Sequence, residues 1–172
     1  MGGVLGKIGL SGRTQFPHVH VSMRHNGIRI DLFAPSGRLT CHSSVDTLWD
    51  TAIEYDAVGL LSLRFFDHSP KIETLRFGRE NAPLKHQSPA IVIAAFGIGV
   101  QKGDIVTLRI DGPRSTSSEH SVTMDRNQAH FMRLGGKKLS RRVWRSGEYH
   151  ATATMTRDSQ IISELKSAIT VP

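Results

Sequence analysis

A single cysteine, Cys41, stands among 172 residues. One thiol excludes an internal disulfide framework, a Cys-x-x-Cys redox pair and a cysteine-rich zinc module. No apolar run approaches the ~20 residues needed to cross a bilayer, so no membrane span is expected. The opening Met1-Gly2-Gly3-Val4-Leu5-Gly6-Lys7-Ile8-Gly9-Leu10 lacks the charged start, long apolar stretch and small-residue cleavage site of a signal peptide. It reads as a short strand over 4–8 between glycines, a beginning in the middle of an architecture. Internal repeats, low-complexity segments and sustained amphipathic helical periodicity are also missing.

What is present points to a globular chain. Hydrophobic residues make up 38% and charged residues 22%, with 16 Gly and 7 Pro, which is neither a disordered nor a collagen-like composition. A chain of this length buries roughly two thirds of its unfolded surface. Twenty-two Lys and Arg against 15 Asp and Glu give a net charge of +7. That balance favours an acidic partner, nucleic acid or an anionic envelope, without choosing between them. Nine histidines are a high count for the size.

Period-two runs bounded by Gly, Pro, Asn, Asp and Ser dominate the chain. The clearest early one covers 19–32, where Asn26-Gly27 sits between strand-like segments. Both residues tolerate the positive φ angles of a type I′ turn, so a hairpin is expected there. It ends at Phe33-Ala34-Pro35-Ser36-Gly37, which marks a boundary. Further strands are expected at 58–65, 90–98, 105–110, 118–124, 128–134, 149–156 and 161–171. In the fifth-last of these Val106, Leu108 and Ile110 share a face, and near the end Tyr149, Ala151, Ala153 and Met155 form an inward set opposite Thr152, Thr154 and Thr156. One helix is expected over 71–78, opened by Ser69-Pro70, with Ile72 and Leu75 at helical spacing and Gly78 as its cap. Short strands with turn signals about every ten residues specify an antiparallel β-sandwich.

One local feature refines that expectation. Ser146-Gly147-Glu148-Tyr149-His150-Ala151 resembles the start of strand F in immunoglobulin-like domains, where a tyrosine two residues before a core position bonds back to the upstream backbone. Ala151 takes the place of the antibody cysteine, in keeping with the missing disulfide.

The sharpest chemical constellation runs Gly9-Leu10-Ser11-Gly12, then Pro17-His18-Val19-His20, then Arg24-His25-Asn26-Gly27, then Ile30-Asp31-Leu32-Phe33-Ala34-Pro35. On a strand, His18 and His20 project to one face and suit one metal ligand and one polarising or proton-transferring group. A His-x-His pair alone also describes two ordinary strand histidines. The ordered set resembles the C-terminal end of the catalytic domain in lysostaphin-type (LytM-like) zinc peptidoglycan endopeptidases and covers about a fifth of the chain. By that resemblance His20 matches the zinc ligand, and His18 matches the histidine that orients water or stabilises the oxyanion. Zinc in that family activates the water and polarises the scissile carbonyl. The resemblance also implies a periplasmic or extracellular setting and peptidoglycan peptides as substrate.

The chain departs from the family at one decisive point. The other two metal ligands come from a His-x-x-x-Asp motif upstream of His-x-His, together with a further catalytic histidine. The 17 residues before His18 contain neither His nor Asp, whereas a catalytic zinc takes about three protein ligands and an open water position. His25, His42, His68, His86, His120, His130 and His150 are scattered over other elements. Tight zinc binding by this chain is therefore not expected. The polypeptide reads as the tail of a peptidase domain followed by a sandwich: a truncated product, a mis-assigned start or an expressed fragment.

Other patterns carry less. Gly9-Leu10-Ser11-Gly12 lacks the full Gly-x-Ser-x-Gly of a nucleophile elbow. Gly97-Ile98-Gly99 lacks the third glycine and the βαβ setting of a dinucleotide site. Cys41-His42 has no third partner marked and reads as a free thiol. The run Lys137-Lys138-Leu139-Ser140-Arg141-Arg142-Val143-Trp144-Arg145 holds five cations and a tryptophan. It fits an anionic polymer, with Trp144 stacking on a base or sugar, or a solvated hairpin loop with Trp144 tucked against the sandwich end.

The sequence thus leads to an all-β chain: a β-hairpin remnant of a LytM-like peptidase domain over 1–40 and an antiparallel immunoglobulin-like β-sandwich over 41–172. The expected function is that of a zinc endopeptidase fragment inactive by itself. The alternative is a non-catalytic module that binds the cell wall or a protein.

Overall fold

The computed structural model describes residues 3–4, 6–9, 18–36, 47–51, 53, 56–77, 81–140 and 142–172. It divides into two compact units, Met1–Tyr55 and Asp56–Pro172. The boundary expected at 40/41, Cys41 and His42 all lie outside the described residues.

In the first unit the regular structure is the hairpin. Strands β1 (Met23–His25) and β2 (Ile28–Ile30) pair antiparallel, with His25 opposite Ile28. Asn26 (φ 50°) and Gly27 (φ 80°) supply the two positive φ angles that a type I′ turn requires. Arg24 Nη1 donates to the Gly27 carbonyl at 3.0 Å across that turn. After β2, Asp31 Oδ1 accepts from Phe33 N–H at 2.8 Å, an Asx turn that redirects the chain. Among the described residues of the strand expected over 4–8, none is in a strand: Val4 and residues 6–8 are exposed.

The second unit is an all-β sandwich of two antiparallel sheets. The three-stranded sheet has the order β3-β4-β7, from β3 (Gly59–Phe66), β4 (Ala90–Val100) and β7 (Gln128–Lys138). The four-stranded sheet has the order β6-β5-β8-β9, from β5 (Ile105–Gly112), β6 (Thr116–Thr123), β8 (Gly147–Arg157) and β9 (Gln160–Val171). All seven strands expected from the sequence are present, most of them longer than expected.

Alternation builds the core between the sheets. Val106, Leu108 and Ile110 of β5 meet Tyr149, Ala151, Ala153 and Met155 of β8 from one side, each 3% exposed or less. Leu63, Phe65, Ile91, Ile93 and Phe131 approach from the other sheet. In β3 a register irregularity between Leu60 and Ser62 changes the parity, so Leu60 and Leu63 both point inward while Leu61 is exposed.

Strand β4 is buried on both faces, which explains its unbroken apolar run Ala90-Ile91-Val92-Ile93-Ala94-Ala95-Phe96. Its outer face, with Ala94 and Phe96 beside Phe66 of β3, is covered by Leu75 of the short helix α1 (Ile72–Phe77). The helix lies within the range expected from Ser69-Pro70 and the Ile72/Leu75 spacing.

Side chains close the lateral openings where unpaired edges would otherwise face water. Ser163 Oγ accepts from Leu60 N–H at 3.0 Å between β9 and β3, and Ser118 Oγ donates to the Gly136 carbonyl at 3.3 Å between β6 and β7. No helix among the described residues is long and apolar enough to cross a membrane.

Candidate functional site

His18 and His20 are both exposed and precede the ladder, which begins only at Met23. Strand pairing therefore does not impose the common face on which the sequence reading placed them. Among the described residues no group of three or more His, Cys, Asp or Glu is gathered to hold a metal, and a catalytic zinc takes about three protein ligands. One spacing escaped the sequence reading: His42-Ser43-Ser44-Val45-Asp46 is a His-x-x-x-Asp pattern, downstream of His-x-His instead of upstream. It lies outside the described residues.

The sandwich gathers chemistry at one end instead, where β5 leaves, β6 and β8 begin and β7 finishes. The approach starts with two glycines. A Cβ at Gly112 would lie 2.4 Å from the Tyr149 ring, and one at Gly147 (φ 129°) would lie 2.8 Å from Pro113. Their bare backbones let the turn after β5 pack onto the start of β8. Tyr149 Oη then donates to the Arg145 carbonyl at 3.1 Å, the corner bond expected from the sequence. Burial raises the phenol's pKa above its ordinary value, so it remains a protonated donor at neutral pH.

Trp144 completes the floor. Its backbone N–H donates to the His86 carbonyl at 2.8 Å, and its Nε1–H donates to the Ser88 carbonyl at 2.7 Å. His86 Nδ1 lies 2.9 Å from the Trp144 carbonyl, which fixes the proton on Nδ1 because a carbonyl only accepts. The indole meets Tyr149 edge-on, with centroids 6.4 Å apart, and is 6% exposed. Stacking on a base or sugar, one of the two readings of this tryptophan, is therefore closed to it. It is tucked against the sandwich end.

Above this floor is a cavity of about 120 Å³. Arg114, Lys137 and Arg145 stand around it, all exposed and each from a different element. Leu139 and Val143 supply apolar wall, and Thr116 and Ser140 supply hydroxyls. Among the described residues no acidic side chain lines the cavity. Arg114 occupies a 3₁₀ turn (Pro113–Ser115) in the left-handed region, at φ 52° and ψ 53°, a conformation that a side chain with a Cβ adopts at a cost.

Of the five cations singled out in the sequence, Lys137 and Arg145 belong to this cavity. Lys138, and Lys137 as well, border a second, shallow groove of about 490 Å³ with Pro89, Val92 and Leu134. Arg142 is exposed, and Arg141 lies outside the described residues. Arg114 was missed, because it is distant in sequence and only the β5–β6 turn brings it to the site. Gly112-Pro113 ahead of it marked a turn but gave no direction. Comparison of the chain with protein families, with curated proteins and with solved structures gives no match.

Proposed function

We propose that this chain carries the C-terminal end of a lysostaphin-type (LytM-like) zinc peptidoglycan endopeptidase domain over about its first 35 residues, followed by an immunoglobulin-like sandwich. The sandwich binds the cell wall, in the periplasm or outside the cell, and the chain by itself does not cleave peptidoglycan. The observation that carries the reading is the ordered series Gly9-Leu10-Ser11-Gly12, Pro17-His18-Val19-His20, Asn26-Gly27 and Asp31 to Pro35. The type I′ hairpin at Asn26-Gly27 supports it. In this reading His20 is the one zinc ligand of the pattern and His18 its catalytic neighbour, both without the upstream His-x-x-x-Asp.

The immunoglobulin-like identity rests on strand order and on the tyrosine corner. Lettered A to G in chain order, the seven strands give sheets A-B-E and D-C-F-G. That is the constant-type partition with the fourth strand moved to the other sheet. Tyr149 stands at the start of strand F, two residues before the buried Ala151, and bonds back to residue 145.

Incubation of the chain with purified peptidoglycan and added zinc tests the proposal. Retention in the insoluble pellet without release of peptide amines is expected. Chelator-sensitive amine release would overturn the non-catalytic reading, and complete absence of retention would overturn wall binding.

A further inference from the structure

The small cavity at the sandwich end has an uneven supply of hydrogen-bond donors. Around it are three exposed cations, Arg114, Lys137 and Arg145, with no carboxylate among the described lining residues. Among the described residues, none of the three is in an ion pair. Three of the lining donors already have partners inside the protein. Tyr149 Oη donates to the Arg145 carbonyl, Trp144 Nε1–H to the Ser88 carbonyl, and Thr116 Oγ1 to the Pro113 carbonyl. Trp144, Tyr149, Leu139 and Val143 therefore offer apolar contact, Ser140 a hydroxyl, and the three cations positive charge.

Such a site discriminates by shape and by polarity. A bare, strongly hydrated anion gains from the cations but nothing from the apolar lining. A polymer charged along its backbone passes through a groove, whereas this cavity is closed below by two buried aromatic rings. The complementary ligand has one terminal oxyanion joined directly to a small aliphatic group. Planar guanidinium groups match a carboxylate in two-point geometry, and a volume of about 120 Å³ admits a methyl-bearing end residue. We propose that the cavity binds the free carboxylate end of a peptide whose last residue is small and aliphatic, with Arg114, Lys137 and Arg145 on the carboxylate and the side chain against Trp144 and Leu139. The assignment deepens the wall-binding reading of the sandwich and rests on it only for the source of the peptide.

Two-dimensional amide NMR of the full chain, titrated with N-acetyl-alanyl-alanine, tests the assignment. Saturable shifts are expected at the Trp144 indole N–H and at the backbone amides of Ser140 and Arg145. The C-terminal amide of the same dipeptide and inorganic phosphate should each bind at least tenfold more weakly. The double variant K137Q/R145Q, both positions being exposed, should retain the wild-type spectrum elsewhere and lose at least tenfold in affinity. R114G, which keeps the turn, should lose affinity in the same direction. Equal binding of acid and amide would overturn the proposal, as would phosphate binding as tight as the peptide acid. Absence of any saturable shift, or an affinity unchanged in K137Q/R145Q, would overturn it as well. Pellet retention on whole peptidoglycan, measured separately, decides the wall-binding reading: retention without a dipeptide response rejects only the cavity.

Discussion

Arg157 grips Asp104 with two parallel bonds, Nε to Oδ1 and Nη2 to Oδ2, both at 2.8 Å. The carboxylate is 1% exposed and also accepts the Gln101 N–H at 2.7 Å. The pair ties the far end of β8 to the β4–β5 turn, where Met124 N–H donates to the Asp104 carbonyl at 2.8 Å. Three segments of the sandwich, the end of β8, the β4–β5 turn and the chain after β6, therefore meet at one buried acid.

Breaking this pair should be costly, and more so from the arginine side. R157Q leaves a buried carboxylate without its cation and should cost about 3 kcal/mol. D104N leaves a partly exposed guanidinium that water can solvate, and should cost about 2 kcal/mol. Urea midpoints at pH 7 measure both; an R157Q variant as stable as the wild type would contradict the argument.

The same pair sets an acid dependence. Hydrogen bonds from Arg157, and then the Gln101 amide, hold the Asp104 carboxyl below the usual carboxylate range against the opposing effect of burial. A depressed folded-state pKa contributes stability that is present above the unfolded value, about 4, and is lost as pH falls through the folded value. The stability gap between wild type and D104N should therefore be constant from pH 7 to about 5 and narrow below about 4. A gap that widens on acidification would refute the assignment.

Removing the corner bond is a smaller, cleaner change. Y149F keeps the ring in the core and deletes only the donor to the Arg145 carbonyl, for an expected loss of about 1 kcal/mol. G112A should lose more than Y149F, because its Cβ would lie 2.4 Å from ring atoms that both Tyr and Phe possess. Thermal unfolding orders the two variants, and G112A milder than Y149F would disprove the close-packing account.

These residues also show where the sequence was readable. Tyr149, Ala151, Ala153 and Met155 announce a strand and its inward face because a half-buried strand must alternate. Residues 90–96 announce a strand but not its two buried faces: an apolar run reads alike under a second sheet and under a helix such as α1. Strand β7 runs to Lys138, past the expected 134, since Gly135 and Gly136 resemble breakers until Ile93 and Val92 pair opposite them. The basic run was visible, yet its meaning was not. Whether Trp144 stacks on a ligand or seals the sandwich depends on Ser88 and His86, more than fifty residues away.

The cover supplied by α1 is testable on its own. Leu75 is 3% exposed and packs over Phe66, Ala94 and Phe96. L75A should cost about 3 kcal/mol and bare an apolar patch on the three-stranded sheet. I72A, at a half-buried position, should cost less. Increased binding of a hydrophobic dye by folded L75A, but not by I72A, is the expected signature. Equal dye binding by both would show that the helix shields nothing specific.

Arg114 separates what stabilises the sandwich from what serves the cavity. Its φ of 52° and ψ of 53° place an L-residue in the left-handed region, at a cost of about 1 kcal/mol. Glycine removes that cost but enters folding with a freer unfolded chain, so the net gain for R114G should be roughly 0.5 kcal/mol. The arginine side chain is exposed and in no ion pair among the described residues, so little packing is lost with it. A more stable protein with a weaker response to the dipeptide acid is the expected result. A loss of stability in R114G larger than the ~1 kcal/mol that a freer unfolded chain can cost would instead make Arg114 a structural element of the turn.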